Sequence, residues 1–254
     1  MSDTGAAVRP IPGVEVWRLS GPPRVEWVEG AAPAAHPDAE RVWRDAVAAN
    51  PRLHDAPIVV VAGADRSGLV RCRAGSYRAF VVSGLLADEG GAGGSTLVEA
   101  LGVTGCVRRT AAGVRSILLG RRGRGTRIYG GMWETAPRGG VEPPGRGECL
   151  GMTLLVEQLR RELREEVGDL PGDMRATPIA LVRDHVAHTL DVVFDLDAGD
   201  VPAGAAGDTI ARRGWEYSDV RWVRDAARGA PGIEGGSLSP PTAALLLARA
   251  AWGV

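Results

Sequence analysis

Lysine is absent from the sequence, and all 30 of its basic residues are arginine. Against 31 acidic residues they leave a formal net charge of -1, which gives no electrostatic footprint for nucleic acid or for an anionic membrane. Aromatic residues make up only 5% of the chain, and no apolar run approaches the length that spans a bilayer. We therefore expect neither nucleic acid nor a membrane as a partner.

Cysteine is scarce as well. Cys72, Cys106 and Cys149 stand far apart without a Cys-x-x-Cys pair, which excludes a disulfide framework and a typical zinc site. Residues 1–10 lack the basic and apolar segments of a secretion signal. Walker loops, dinucleotide-binding fingerprints and serine or cysteine nucleophile motifs are also missing. These features suit a reducing compartment, and we expect a cytoplasmic protein.

The length of 254 residues, with 44% hydrophobic and 24% charged residues, indicates a globular chain of one large or two ordinary domains. We expect a flexible tail over residues 1–12, an N-terminal α/β domain over 13–100, and a second domain over 101–254. The glycine-rich segment 90–94 closes the first domain, and the boundary is expected near residue 100.

Alternating and β-branched patterns in the first half predict short strands, and one amphipathic segment predicts a helix. Asp38 is the expected N-cap of that helix, and Asn50-Pro51 ends it. The expected strands are 14–19, 25–28, 58–62, 69–73 and 77–82, and the helix is 38–49. The turn Gly21-Pro22-Pro23 joins the first two strands.

The second half repeats this mixture around a long helix. Strands are expected at 102–108, 116–121, 178–183, 189–196 and 220–223, and a terminal helix with proline in its first turn at 241–252. Mixed strands with helices on both sides imply an α/β/α sandwich with a mixed sheet, preceded by the small N-terminal α/β domain.

One segment carries the main chemical signal. A helical reading places Glu162, Glu165 and Glu166 at i, i+3 and i+4, so that three carboxylates share one face. Leucines 155, 159 and 163 form another face that packs on a sheet, and Gly168 is expected to end the helix in a left-handed C-cap. Clustered carboxylates are what Mg²⁺ or Mn²⁺ selects.

The alternative is an ordinary solvated face. Arg160, Arg161 and Arg164 are interleaved with the acids and can pair with them at helical spacing. Taken alone, the three acids leave both readings open.

The surroundings of this helix resemble the Nudix box. Arg161, Glu162, Leu163, Glu165, Glu166 and Gly168 match the family's Arg-Glu-aliphatic-x-Glu-Glu-x-Gly pattern, and Gly139 and Gly140, preceded by Trp133 and Pro137, match its opening. The resemblance implies a diphosphate hydrolase that uses Mg²⁺ or Mn²⁺ and acts on a small-molecule diphosphate. It also implies the Nudix fold over residues 101–254.

The box departs from the family in two places. The positions of the family's first Glu are Arg146, counted from the glycines, and Thr153, counted from Arg161. The loop is therefore longer than usual, and Glu142 or Glu148 takes the place of the missing acid, with Glu142 favoured because it follows the glycines most closely. Asp169 stands where an aliphatic residue is usual.

The resemblance assigns roles to individual residues. Glu162, Glu165, Glu166 and Glu142 are the expected metal ligands, and Arg161 would hold the box loop or a carboxylate. Gly139 and Gly140 would turn tightly and approach the phosphates. Glu216 lies where the family often has an additional acid that binds metal or activates water. A surface acid is the alternative for Glu216.

Other residues have two readings each. Arg121 and Arg122 either bind a phosphate at a strand end or are solvated there. Asp191 and Asp195 share one strand face and the same ambiguity. Three aromatic residues either stack on a uracil ring or pack in the core, namely Trp133, Trp215 and Tyr217. His185 and His188 show no convincing ligand spacing, and the four histidines are expected to be structural.

The N-terminal half resembles a Nudix branch with an extra N-terminal α/β domain, whose animal member looks like a UDP-glucose and UDP-galactose diphosphatase. The resemblance lies in residues 42–57, 76–80 and 101–103. It implies cleavage of a UDP-sugar to UMP and sugar 1-phosphate. ADP-ribose, a dinucleotide or a prenyl diphosphate stay open as substrates, as does a silent nucleotide sensor. The N-terminal domain either covers the cleft or mediates homodimerisation.

Overall fold

Eleven strands and four α-helices make up the described part of this computed structural model, which comprises residues 10–30, 36–88, 97–111, 113–146, 148–170, 174–199, 216–225, 233 and 236–253. The strands are β1 Val14–Arg18, β2 Arg24–Trp27, β3 Pro57–Ala64, β4 Leu69–Ser76, β5 Glu99–Ala111, β6 Val114–Arg122, β7 Trp133–Thr135, β8 Arg138–Gly140, β9 Ala176–Asp184, β10 Thr189–Asp197 and β11 Tyr217–Arg224. The helices are α1 Ala39–Ala49, α2 Tyr77–Asp88, α3 Met152–Glu162 and α4 Pro240–Trp252.

All the described strands belong to one mixed sheet. Its main order is β1-β9-β10-β5-β3-β4-β2, and β6 joins β5 to β7 and β11. The β10–β5 and β2–β4 pairs are parallel, and the other pairs are antiparallel. The mixed sheet that the sequence predicts is confirmed.

Strand β5 is the centre of this sheet. Along one edge it pairs with β10 over nine residues. Along the other edge it pairs in turn with β3, β8 and β6. Its middle residues, Leu101 to Val107, are buried because the strand has neighbours on both edges and helices over both faces. Strand β8, which carries the two glycines of the box, is therefore held directly against the centre of the sheet.

Helices α3 and α4 cover opposite faces. Leu155 and Leu159 of α3 are fully buried in one apolar cluster with Leu101, Val103 and Phe194 of the sheet. The leucines of α4 pack in a second cluster, with Cys106, Ile117 and Val193. The α/β/α layering and the expected role of the leucine stripe are thus confirmed. Helices α1 and α2 pack on each other and on β3 through Val42, Val82 and Phe80.

The predicted strand over residues 77–82 is wrong, because this segment begins helix α2. Its Tyr, Phe and Val residues resemble a strand in composition. Two hydrogen bonds from the first helical turn decide otherwise: the Ala79 N–H donates to Ser76 Oγ (3.1 Å), and the Arg78 N–H donates to Asp55 Oδ1 (2.9 Å). A serine cap that accepts from the third helical residue is a helix start.

The first two strands do not pair with each other, although five residues separate them. β1 pairs with β9, and β2 pairs with β4 at the other end of the strand order. Residues 13–100 therefore contribute strands to both ends of the sheet that residues 101–254 complete. The division into two domains stays a prediction, and the tail over 1–9 and the glycine segment 90–94 lie outside the described residues.

Candidate active site

The acidic helix has an irregular end. After Glu162, α3 continues as a π-helical turn, Leu163–Val167, and the Gly168 N–H donates to the Leu163 carbonyl oxygen (2.9 Å). Gly168 has φ of 97° and ψ of -172°, so its positive φ is as expected but its conformation is not the left-handed C-cap. Only glycine adopts this region without strain.

The π turn places the three carboxylates at different depths. Glu165 is exposed, Glu162 is half-buried, and Glu166 is buried. The expected face of three carboxylates is therefore irregular, since a π turn adds a residue to the helical repeat and rotates the residues after it. Single π turns of this kind are frequent at functional sites.

Glu166 is held from two sides. The backbone N–H of Arg138, in β8, donates to Glu166 Oε2 (2.9 Å). A hydrogen bond also joins the Glu166 carboxyl group to Glu216, just before β11. Burial, and then the Glu216 carboxyl group, raise the pKa of Glu166 well above its ordinary value. Two carboxyl groups in such contact share a proton unless a cation takes its place.

Glu162 lies above Gly139. Gln158 Nε2 donates to Glu162 Oε1, and the carboxyl group occupies the space that a Cβ on Gly139 would need. Burial, and then the charges of Glu165 and Glu216, raise the pKa of Glu162 to about 7. Glu162, Glu166 and Glu216, here called the acid cluster, therefore repel one another and are partly desolvated.

The two glycines act differently from the prediction. Gly139 and Gly140 lie in strand β8, paired with Val103 and Gly102 of β5, and neither has a positive φ. The tight turn expected there is therefore wrong. Gly139 instead permits the close approach of Glu162, while a Cβ on Gly140 would meet nothing within 4 Å.

A cavity of about 510 Å³ opens beside the acid cluster. Glu162, Glu165, Glu142 and Glu216 are among the residues that line it. Its lining also carries positive charge and apolar groups from both halves of the chain, including Arg122, Arg127, Arg138, Leu53, Tyr77 and Phe80. The site thus combines acids, arginines and an apolar wall.

A buried ion-pair network holds two arginines of the cavity, Arg122 and Arg138, in place. Glu134 is fully buried and accepts from Arg122 (2.6 Å), Arg138 (3.5 Å) and the Tyr217 hydroxyl (3.0 Å). Arg138 also pairs with the buried Asp191 (2.8 Å). Sequence reasoning missed Glu134 and Arg138, because a charged residue next to a short strand gives no signal of which distant partner neutralises it.

The outer residues of the site, Arg161, Glu148 and Arg121, differ in their contacts. Arg161 Nη1 donates to Glu142 Oε2 (3.1 Å), which ties the box loop to α3 as predicted for Arg161. Glu148 accepts from the N–H of Gly145 (2.8 Å) within the loop. Arg121 donates to the Gly131 carbonyl oxygen (3.1 Å) and lies on the strand face away from Arg122.

The predicted stacking residues are in the core. Trp133 is 1% exposed, and Tyr217 is buried with its hydroxyl group bound to Glu134. Of the two readings, core packing is therefore the one that holds for both, and Trp215 lies outside the described residues. Asp195 pairs with Arg108, on the side of the sheet that α4 covers, and is a structural ion pair.

A larger cavity of about 780 Å³ lies elsewhere, between the end of β1 and α3. Its described lining carries Arg18, Arg160 and Arg175 but a single carboxylate, that of Glu157. Such a lining offers no set of oxygen donors for a cation. The chemistry is therefore assigned to the smaller cavity.

The donor set of the acid cluster suits a hard divalent cation. Carboxylate oxygens are the preferred ligands of Mg²⁺ and Mn²⁺, and a cation would favour the charged forms of Glu162 and Glu166, whose pKa burial and then the neighbouring carboxyl groups raise. In the described part of the chain, no three acidic, histidine or cysteine side chains converge on one metal position. The carboxylates are grouped without forming a finished coordination shell.

No protein-family model and no curated protein matches the chain. Among solved structures, it is similar to the NUDIX domain of Shewanella oneidensis NrtR in complex with ADP ribose, with 16% identity over 60% of this chain and 86% of that one and a TM-score of 0.41. A MutT protein from Methanosarcina mazei shares 22% identity over 60% and 92% of the two chains, with a TM-score of 0.35. A C. elegans Ap4A hydrolase shares 15% identity over 50% and 80%, with a TM-score of 0.34.

At these identities and TM-scores, the similarities leave the chemistry to be argued from the site itself. Among the described residues, no helix is long and apolar enough to cross a membrane.

Proposed function

We propose that this chain is a divalent-metal-dependent hydrolase of the diphosphate bond in a nucleoside diphosphate linked to another group. The observation that carries the proposal is a single cavity lined both by carboxylates of the acid cluster and by arginines. Hydrolysis of a diphosphate requires both parts, because negative charge on the nonbridging oxygens must be neutralised while water attacks phosphorus.

Glu162, Glu165, Glu166 and Glu142 are proposed to hold the metal, with Glu216 close to them. A bound Mg²⁺ or Mn²⁺ would neutralise phosphate charge and make hydroxide available near neutral pH. Arg161 holds the loop of Glu142 in reach through its ion pair. These assignments rest on the grouping of the carboxyl groups and on the cavity that they line.

Side chains of the chain itself would accept the proton of the attacking water and stabilise the leaving group. Water attacks one phosphorus, the bond from that phosphorus to the bridging oxygen breaks, and two phosphomonoesters result. Glu216 is proposed to accept the proton of the attacking water, because it lines the cavity and contacts Glu166. The arginines that line the same cavity would stabilise the charge that develops on the bridging oxygen.

A UDP-sugar is the first candidate substrate, cleaved to UMP and sugar 1-phosphate. The support is the N-terminal half, which contributes Leu53, Tyr77 and Phe80 to the cavity. An apolar and aromatic wall suits the organic parts of such a molecule. The same wall also suits ADP-ribose, and a sensor that binds nucleotide without cleaving it is the candidate from another class. Cytoplasmic location and homodimerisation stay predictions.

A coupled assay tests the proposal. UDP-glucose, UDP-galactose, ADP-ribose, NADH, a dinucleoside polyphosphate and a prenyl diphosphate are incubated with Mg²⁺ or Mn²⁺ and with a phosphatase specific for monoesters. Cleavage is then read as released phosphate. Turnover that chelator and Glu166→Gln both abolish supports the hydrolase, and a preference for a compound without UDP would replace the sugar assignment. Tight nucleotide binding without turnover would favour the sensor.

A further inference from the structure

Arg127 differs from the other arginines of the cavity in its partners. Arg122 pairs with Glu134, and Arg138 pairs with both Glu134 and Asp191. Arg127 has no carboxylate partner among the described residues. Its Nη2 makes one long hydrogen bond, to the Ala187 carbonyl oxygen (3.4 Å). Arg127 is therefore the cavity arginine that forms no ion pair with a described residue, although Asp88 and Asp184 lie near enough to favour its charge.

The side chain of Arg127 is nevertheless held in place. Its guanidinium group lies over the Phe80 ring, 4.9 Å from the ring centre, and Nη1 lies beside Gly84 of α2. Burial lowers the pKa of Arg127. A partly desolvated cation that lies over an aromatic ring and lines a cavity suits an anionic ligand.

The position of Arg127 indicates which anion. The acid cluster, with its metal, would engage the phosphate that water attacks. Arg127 lines the same cavity together with the apolar wall of Leu53 and Tyr77. A diphosphate bound in this cavity would therefore have a second phosphate group available to Arg127.

We propose that Arg127 binds the second phosphate group of the substrate, the one that carries the organic group, and that α2 positions Arg127 through Phe80. This inference rests on the proposed function for the identity of the ligand. The proposal assigns phosphate binding to Arg127 instead of Arg121. Arg122 would have a supporting role, because its charge is already neutralised by Glu134. Binding of the second phosphate also makes the enzyme selective for diphosphates over monophosphates.

Pyrophosphate binding tests the proposal without requiring turnover. Binding of inorganic pyrophosphate is measured by calorimetry in metal-free buffer for the wild-type chain, Arg127→Ala, Arg127→Met and Arg127→Lys. We expect affinity to fall at least about tenfold in Ala and Met and to be partly kept in Lys. Arg127→Met retains an apolar stem over Phe80, so it separates lost charge from lost packing.

Two arginines serve as controls. Arg124→Ala removes an exposed arginine of the same loop, and Arg175→Ala removes one from the larger cavity. Both should bind pyrophosphate like the wild type. Wild-type affinity in Arg127→Ala and Arg127→Met, loss of affinity in Arg175→Ala instead, or no binding by the wild-type chain would each overturn the proposal.

Kinetics on the substrate found in the coupled assay provide the second readout. Arg127→Met should raise KM for the diphosphate more than it lowers kcat, because the contact exists before the bond breaks. If no compound is cleaved but Arg127 still governs pyrophosphate binding, the anion site stands and the hydrolase fails. If cleavage proceeds with an unchanged KM in Arg127→Met, the hydrolase stands and the anion site fails.

Discussion

At the scale of single residues, the contact of Gly139 with Glu162 shows how a glycine can be essential without a special backbone angle. Both glycines of the pair have ordinary strand conformations, yet only Gly139 faces a side chain that fills the space of its missing Cβ. The pair was predictable from sequence as a motif. Its physical role was not, because the neighbour that requires a glycine lies far along the chain, on α3.

This difference predicts unequal effects of the same substitution. Gly139→Ala should displace the carboxyl end of Glu162, and because this is the far end of a flexible side chain the cost in unfolding free energy should be about 1 kcal/mol or less. It should also weaken Mn²⁺ binding, because the carboxyl group is moved. Gly140→Ala is the matched control and should change stability by no more than about 0.5 kcal/mol. Denaturant unfolding and Mn²⁺ titration measure both, and equal behaviour of the two variants would contradict this account.

The three cysteines give a second residue-scale prediction. Burial raises the pKa of Cys72 to about 12 and that of Cys106 to about 11, whereas Cys149 is exposed in the box loop. Since the thiolate is the reactive form, the two buried thiols should resist alkylation at about pH 8. Mass spectrometry should find one labelled cysteine in the native chain and all of them labelled after denaturation. Fast labelling of Cys72 in native conditions would show that its strand, β4, opens readily.

At the scale of elements, periodic segments were predictable and local irregularities were not. The leucine stripe predicts α3 because burial of one face is a property of the segment itself. The π turn depends on contacts outside the helix, among them the backbone N–H of Arg138 that binds Glu166. The strand prediction for residues 77–82 was wrong for a similar reason, since the capping groups Ser76 and Asp55 outweigh the strand-like composition.

Glu166 is a buried carboxyl group in the π turn, and this makes Glu166→Gln an informative variant. Glutamine keeps an oxygen to accept from Arg138, so the fold should stay intact, and it removes a charge whose burial is unfavourable. We expect the metal-free variant to melt at or slightly above the wild-type temperature near pH 7. The raised pKa of Glu166 fixes the sign: the wild-type chain loses stability as pH rises from the ordinary carboxyl pKa through the raised one, and the glutamine variant does not.

In the same variant, Glu166→Gln, turnover should fall although stability does not. Loss of the Glu166 charge should lower kcat by about 100-fold or more, because even the outer partners of metal ligands are worth about 10–100-fold in metal affinity or activity. Thermal melts across pH and steady-state kinetics with Mg²⁺ measure the two effects. Unchanged turnover would remove Glu166 from the proposed metal site, and a large fall in melting temperature would assign it to the fold instead.

The lengthened box loop separates its two candidate acids. Glu142 lines the cavity and pairs with Arg161, whereas Glu148 accepts from its own loop. Glu142→Gln should therefore raise the Mg²⁺ concentration for half-maximal activity several-fold, and Glu148→Gln, its matched control, should leave it unchanged. Metal titrations of activity measure both. If neither variant responds, the site works without a loop acid, and if Glu148 responds alone, the loop must rearrange on metal binding.

At the scale of the whole molecule, the class and layering of the fold could be predicted, and the sheet's strand order could not. Apolar and polar residues alternate along a strand that has one buried face, so the strands themselves can be predicted from the sequence. The partner of each strand depends on long-range pairing, and β1 and β2 pair at opposite ends of the order. The candidate cavity depends on that order, because β3 beside β5 brings residues 50–58 close to the box.

This strand order bears on the predicted domain boundary near residue 100. The apolar cluster around Leu155 includes Val59 and Val70 from the first half, and β9 and β5 take β1 and β3 as edge partners. A fragment of residues 101–254 would thus expose two sheet edges and part of one core. We expect it to lack a cooperative thermal transition and to exchange the amide hydrogens of β9 rapidly. A chain that begins at residue 10 is the control and should melt like the full chain. A fragment that folds cooperatively alone would instead establish two independent domains, with the cavity formed where they meet.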